Sequence, residues 1–411
     1  MSSREFHFVS GGSSKFWRID VSGNSHEVTY GKIGTGGTKQ SKSFADATAA
    51  QKAADKLIES KTSKGYVEVT KAGKASKGKK TGTTTPSAGG GLSELFFATT
   101  QSVNDMAKLK TFIGKKVVNF TSPKSIKKAD VVYRINYSWD GEGESNFGEM
   151  LMQFLDSDAP LTARGFVIGS WSDDGPEPAD PIVAKLVEYK HKFPELTALF
   201  FGDIEQEESE ISWIEQCDMT PLLKSFPKLE LLRVRGGTGL HFKGAKHDCL
   251  RALGVEAGGL PRDVVGEICK AKFPNLEYLE LWLGTPDYGG DTQVNDLQPI
   301  LKGKLFPKLK YLGLRNAEIA NDIAGVIINS PIIKQLETLD LSLGTLTDEG
   351  AQALLKLPQD GKLKRLDVHH HFLSKPMMKQ LKALPFTVNV ADQQEPDDWG
   401  DGEMRFVAIG E

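Results

Sequence analysis

A chain of 411 residues, 26% charged and 39% hydrophobic, has enough apolar material for two or three packed domains, which excludes wholesale disorder. Its formal net charge of −3 conceals a split: residues 1–85 carry 15 Lys+Arg against 7 Asp+Glu, and the remainder 36 against 47. A small head of +8 on a large body of −11 points to a polyanion-seeking module on a scaffold. Cys217, Cys249 and Cys269 are spaced for neither a disulfide framework nor a zinc ribbon, and so sparse a count points to a reducing compartment. The N-terminus, MSSREFHFVS, has no apolar core of a signal peptide, and no run reaches the 18 apolar residues of a membrane span. The expected protein is soluble and cytoplasmic, with no membrane partner.

In chain order, residues 1–70 read as one small unit. Phe6 and Phe8, then Phe16-Trp17-Arg18-Ile19-Asp20-Val21, alternate as strands do, with Gly11-Gly12 as the hairpin turn between them. A third strand is expected around His26–Tyr30, and Gly31, Gly34, Gly36 and Gly37 mark a tight loop. The pattern turns helical from Asp46 to Thr62, and Gly65–Val69 closes the unit as a short strand.

Residues 71–92 read as a linker. The stretch 70–91 holds six Gly, five Lys and five Thr and no large apolar side chain, so it cannot bury enough surface to offset the entropy of ordering. As a flexible chain its reach is roughly 25 Å. Gly73–Lys80 nearly spells a phosphate-binding loop, but Lys80 stands where a Ser or Thr hydroxyl is required and no strand–loop–helix context surrounds it, so a linker is the better reading.

Residues 93–411 repeat themselves. Phe193-Pro194, Phe226-Pro227, Phe273-Pro274 and Phe306-Pro307 each precede a Leu-x-x-apolar-x-apolar run, at Leu196, Leu229, Leu276 and Leu309; Leu336 and Leu363 open two more without the Phe-Pro. First-leucine spacings are 33, 47, 33, 27 and 27. Each run predicts a short strand with its leucines inward, followed by a helix on the outer side, and such units bury their apolar faces only by stacking. Thr347 and Ser374 are placed to cap two of the helices. The long spacings predict insertions, notably Thr238–Arg262, while Val131–Tyr137 and Gly165–Trp171 read as degenerate or capping units. The fold class is therefore α/β: a small antiparallel sheet with a helix, a linker, then a solenoid of parallel strands with outer helices.

Two resemblances follow from these motifs. Lys15-Phe16-Trp17-Arg18-Ile19, Tyr30-Gly31-Lys32-Ile33-Gly34-Thr35, Lys42-Ser43-Phe44, Asp55-Lys56-Leu57-Ile58 and Lys64-Gly65-Tyr66 resemble, in order, the WGR domain over residues 4–69. The family occurs in DNA-dependent poly(ADP-ribose) polymerases, where it contacts DNA ends, and in bacterial proteins similar to a molybdate-metabolism regulator. The resemblance implies nucleic-acid binding through Tyr30, Gly31 and Lys32, with Lys15, Lys39 and Lys42 as phosphate contacts. The naming tripeptide Trp-Gly-Arg is here Tyr30-Gly31-Lys32: an aromatic ring and a cation remain, but lysine lacks arginine's planar fork. The remainder is similar to a leucine-rich repeat domain, its Leu346–Leu355 stretch to ribonuclease-inhibitor-like repeats, and its Arg405–Glu411 ending to a bacterial repeat family of unassigned function. That architecture implies a bacterial multi-component system, some members of which sit beside AAA+ ATPases.

No catalytic set stands out: there is no G-x-S-x-G, H-E-x-x-H or kinase signature, and the acidic runs read as solvated loops. The expectation is no enzyme, no cofactor and no small-molecule substrate. His369-His370-His371 offers at most two ligands on one face, short of a metal site, and reads as structural or partner-facing. On the concave strand face the positions between leucines are Arg233, Arg235, Tyr278, Glu280, Trp282, Tyr311, Arg315, Asp340, Arg365, Asp367 and His369. Arginine and aromatic residues dominate interaction hot spots, which makes Arg233, Arg235, Tyr278, Trp282, Tyr311, Arg315, Arg365 and His369 the expected protein-binding set. The functional expectation is a non-enzymatic adaptor whose head binds nucleic acid, DNA more than RNA, and whose body binds a protein; the alternative is a pure protein-interaction scaffold.

Overall fold

The computed structural model describes residues 2–69 and 106–410, apart from 11–12, 34–37, 44–45, much of 49–65, 127–129, 138–145, 173–175, 207 and 399–402. The expected linker, residues 71–92, lies outside the described residues. Contacts divide the chain into two units, Met1–Thr85 and Pro86–Glu411.

The first unit is a five-stranded antiparallel sheet: β1 (Ser2–Ser10), β2 (Ser13–Ser22), β3 (Ser25–Lys32), β4 (Thr38–Ser43) and β5 (Val67–Glu68), ordered β4-β3-β2-β1-β5. Ser10 pairs with Ser13, and the Gly11-Gly12 turn expected between the two strands lies outside the described residues. Alternation puts Phe6, Trp17 and Ile19 into a core with Ala54 and Ile58, and the Phe6 and Trp17 rings lie 5.7 Å apart. Helical backbone is present at 47–48, 50–52, 54, 58 and 61, within the span predicted to be helical. β4 was not expected, because Thr38-Lys39-Gln40-Ser41-Lys42-Ser43 has no apolar residue to mark a strand. It forms because β3 offers a free edge, and a polar, lysine-bearing strand is a safe outer edge for a sheet.

The second unit is built on a twelve-stranded sheet. A short hairpin of β6 (Thr111–Phe112) and β7 (Lys115–Asn119) begins it. Ten strands then pair in parallel in sequence order: β8 (Val132–Ile135), β9 (Gly165–Ile168), β10 (Ala198–Phe201), β11 (Leu231–Arg235), β12 (Ala252–Glu256), β13 (Tyr278–Gly284), β14 (Tyr311–Ala317), β15 (Thr338–Asp340), β16 (Arg365–Asp367) and β17 (Thr387–Asn389). Register aligns Leu199, Leu232, Leu253, Leu279, Leu312, Leu339 and Leu366 in one row, every one fully buried. Against that row pack Leu151, Leu186, Leu222, Val265, Ile323 and Leu381 from the helices of the intervening segments. Each such side chain contributes about 1.5–3 kcal/mol by leaving water, and no single unit could bury both faces alone. The Phe-Pro phenylalanines fill the joints between units; Phe193 and Phe226 meet edge-on at 6.0 Å.

Two expectations change. The segment read as an insertion, Thr238–Arg262, contains a repeat of its own: Leu250, Leu253 and Val255 are buried and β12 pairs on both sides. Its register with β11 and β13 is in step, so the spacing of 47 is two units rather than one unit with an excursion. Ser374 caps the helix Lys375–Lys382 as predicted, its hydroxyl accepting from Met377 N–H. Thr347 occupies an N-cap position but makes no cap hydrogen bond; its Oγ1 accepts from Asn321 Nδ2 at 2.8 Å and ties two units together. Units also approach closely at Gly284, where φ is +68° and a Cβ would stand 1.7 Å from the Gly258 carbonyl oxygen.

Candidate interaction surfaces

In the head, register fixes where the expected nucleic-acid residues lie. Lys15 on β2 stands directly opposite Lys32 on β3, Phe16 opposite Gly31, and Trp17 opposite Tyr30. Lys39 and Lys42 on β4 stand opposite Thr29 and His26. The six candidates thus occupy three adjacent strands; their side chains, and the loop 34–37, lie outside the described residues. The head's two arginines are engaged elsewhere. Arg4 makes two hydrogen bonds to Glu68, at 2.7 and 2.8 Å, and Arg18 binds Glu5, which also meets His7. Arg18 and His7 hold the Glu5 carboxyl below the ordinary carboxylate range, and Arg4 does the same for Glu68.

On the body, the sheet face away from the helices carries three rows of side chains. The first holds Ala198, Leu231, Ala252, Tyr278 and Tyr311, and Leu109 and Phe112 pack upon it. The Tyr278 and Tyr311 rings stack at 3.9 Å. The second and third rows hold an ion network. Glu256 bridges Arg233 and Arg235, and both guanidinium groups lie over the Phe200 ring. Arg235 also donates to the carbonyls of Ile204 and Met106, and Arg134 binds Asp203 and the Leu109 carbonyl. Glu280 accepts from Arg315 at 3.0 Å, Trp282 Nε1 at 2.8 Å and the Tyr278 hydroxyl. Arg315 reaches Ser342, and Tyr311 donates to Asp340 at 2.8 Å. At the far end Asp367 binds Arg365, His369 and Asn389.

Burial and charge decide the chemistry of this face. Burial works to raise the pKa of Glu280, but Arg315 and Arg233 outweigh it and keep the carboxyl below its ordinary value. Burial, with the Asp367 carboxylate adding to it, outweighs Arg315 at Asp340 and raises that carboxyl, and burial beside carboxylates lifts both tyrosines well above their ordinary values. Five arginines (134, 233, 235, 315, 365) meet five carboxylates (203, 256, 280, 340, 367), so the network is balanced.

This arrangement corrects one expectation. Arg233, Arg235, Tyr278, Trp282, Tyr311 and Arg315 do share one face, as the alternation says, but each is at most 2% exposed. They bind one another instead of standing open to a partner. Arg365 and His369, with side chains 28% and 19% exposed, are the part of the predicted set that solvent reaches. Glu256, Arg134 and Asp203 were missed by sequence reasoning: Glu256 lies in the unrecognised repeat, Arg134 in the degenerate unit Val131–Tyr137, and Asp203 in the loop just beyond the recognised strand Ala198–Phe201, outside the repeat motif.

The three histidines diverge. His369 Nδ1 meets Asp367 at 2.7 Å, His370 adopts φ +56°, and His371 is fully buried with Nε2 against the Val390 carbonyl. Among the described residues no three His, Cys, Asp or Glu side chains are grouped to hold a metal ion. No helix of the described residues is long and apolar enough to cross a membrane.

Residues 3–73 match the WGR domain family, so the head is a WGR domain, here joined to a long parallel-sheet repeat body. The whole chain belongs to the same family as a protein from Bacteroides fragilis of known crystal structure, to which it is 34% identical; the match covers 96% of this chain and 97% of that one, at a TM-score of 0.59. It is also similar to two proteins of Escherichia coli K12: YehF, 47% identical over 68 residues (16% of this chain, 25% of YehF), and the uncharacterized protein YfeS, 48% identical over 56 residues (14% and 23%). The chain thus spans about a quarter of the length of these curated relatives.

Proposed function

We propose that this chain is a non-enzymatic adaptor, whose WGR head binds nucleic acid, DNA in preference to RNA, and whose repeat body binds a protein. The observation that carries the first half is the distribution of charge in the head. Arg4 and Arg18 are its only arginines, and Glu68 and Glu5 neutralise them. The excess of +8 over residues 1–85 therefore rests on lysines. Two of these, Lys15 and Lys32, stand directly opposite on neighbouring strands. Like charges in that relation destabilise a strand pair, and a phosphate between them would offset the repulsion. Tyr30 beside Lys32 supplies a ring for a sugar or base to stack on. For the body, Arg365 and His369 at the solvent-reached end of the face are the contact residues of this reading.

The test is fluorescence anisotropy of the full chain with a DNA duplex and a matched RNA, between about 50 and 200 mM salt. Affinity should fall steeply with salt, and Lys15→Ala with Lys32→Ala should reduce the log–log slope by about two, near one per phosphate contact. No binding at the lowest salt would sink the nucleic-acid half. A second reading, a pure protein-interaction scaffold in a bacterial multi-component, possibly ATPase-associated system, draws support from the Tyr30-Gly31-Lys32 departure and from the body's −11 charge, which repels polyanions. It prevails if Tyr30→Ala with Lys32→Ala leaves nucleic-acid affinity intact and abolishes a pull-down partner.

A further inference from the structure

The C-terminal tail, Arg405–Gly410, crosses the ends of successive strands and is held mainly through its backbone. His370 Nε2 lies 3.4 Å from the Phe406 carbonyl, Ala408 N–H donates to Leu343 O at 2.9 Å, and Ile409 N–H donates to Asn316 Oδ1 at 3.0 Å. Asn316 Nδ2 in turn donates to the Ile409 carbonyl, so one amide side chain reads both polar groups of one tail residue. That side chain is fully buried. Its hold depends on backbone, not on the identity of residue 409, and any extended chain could satisfy it.

The three residues that grip the tail are equivalents. Asn316, Leu343 and His370 recur every 27 residues at equivalent positions of their units, and all three have positive φ, +51°, +66° and +56°. Left-handed backbone is costly for leucine and histidine, and residues so strained cluster at ligand clamps. Here that backbone presents the Asn316 side chain, the Leu343 carbonyl and the His370 ring to the tail. The tail leaves part of that channel open: Val407 is buried and Ala408 and Ile409 pack against the core, but Phe406 is 47% exposed. A cavity of about 340 Å³ remains beside it, lined by Thr285, Asp287, Tyr288 and Glu318. One position is selective: a Cβ at Gly410 would stand 2.9 Å from the Tyr288 ring.

We propose that this channel is a peptide-binding site, in which Asn316 clamps the main chain of an extended segment from a partner protein and the tail is its displaceable resident. The ligand class is set by the resident: branched apolar, small, branched apolar, glycine, as in Val407-Ala408-Ile409-Gly410. Main-chain bonds give the affinity, the buried Val407 position and the glycine give the selectivity. The site adjoins the Arg365–His369 end through His370, but it rests on Asn316 and the tail and not on Arg365 or His369, so its failure leaves that reading standing.

The probe is a fluorescein-labelled peptide with the sequence of residues 405–411, beside a scrambled version. The full chain, a chain ended after Glu403 and that shortened chain carrying Asn316→Leu are compared, with thermal transitions to verify folding. The shortened chain should bind the peptide at least tenfold more tightly than the full chain, ignore the scrambled one, and lose at least tenfold on Asn316→Leu. A folded shortened chain that does not bind overturns the proposal and makes the tail a fixed strap. Amide exchange on the intact chain decides independently of truncation: saturating peptide should accelerate exchange at Ala408 and Ile409 at least tenfold, and unchanged exchange refutes displacement.

Discussion

Glu256→Gln tests whether the inner face is held by its ion network. The carboxylate is fully buried, bonded to Arg233 and Arg235, which are themselves 2% and 0% exposed. Glutamine keeps the volume, so no cavity confounds the result, but it leaves two guanidinium charges facing each other away from water. Breaking one buried pair from one side costs about 3–5 kcal/mol. Because Glu256 serves two partners, the loss belongs at the upper end, about 4–5 kcal/mol. Glu337→Gln is the matched control: it removes the same charge from a pair with Lys364 whose side chains are 38% and 72% exposed, and should cost under about 1 kcal/mol. Both are read as shifts of the urea midpoint at constant slope, followed by the fluorescence of the buried Trp282. Arg233→Met, Arg235→Met and Glu256→Leu together should recover most of the loss, since a packed apolar replacement leaves no orphaned charge. Equal midpoint shifts for Glu256→Gln and Glu337→Gln would refute the reasoning.

Three further outcomes follow from the geometry. His371 accepts Leu373 N–H at Nδ1 while its Nε2 faces the Val390 carbonyl, so the neutral ring is required, and burial lowers the pKa of both His371 and His370 below 6.5. The unfolded chain then binds more protons below pH 6.5, and this stability, intact above that pH, is lost as pH falls through it. The melting temperature should drop between pH 7 and 5, and His371→Asn should flatten the drop. Burial pushes the Cys217 thiol up to about 12 and Cys269 up to about 11, whereas Cys249 is exposed. A thiol reagent at mildly alkaline pH should thus show one fast phase in the native chain, removed by Cys249→Ser, and three equal rates would contradict the burial. Gly284→Ala should lower the urea midpoint strongly, because its Cβ meets the Gly258 carbonyl oxygen at positive φ. Gly266→Ala, inside the helix Arg262–Lys270 with nothing within 4 Å, should instead be neutral or stabilising by up to about 1 kcal/mol.

Much of the architecture was legible in the residues because strands and solenoid units have fixed periods. Leu196, Leu229, Leu276, Leu309, Leu336 and Leu363 mark their units, since that spacing puts two apolar side chains on one face of a short strand and a third in the turn just before it. The unit at Leu250 escaped because it lacks Phe-Pro and departs from the commoner spacings, and β4 escaped because an edge strand needs no apolar residue. The candidate surface was legible by membership and not by environment. Alternation correctly placed Arg233, Glu280 and Arg315 on the face away from the helices, yet gave no sign that they are buried there.

That difference marks the division between chain and fold. The amino-acid sequence by itself determined the two modules, the parallel strands and which side chains share a face, all consequences of local geometry repeating at short range. Only the tertiary structure decided that Arg233 meets Glu256, 23 residues on, that Arg315 meets Glu280, 35 residues back, and that Ile409 meets Asn316 across 93. Pairing charges and clamping a tail depend on the register between strands and on what covers the face, and both arise only when every unit is stacked on the next.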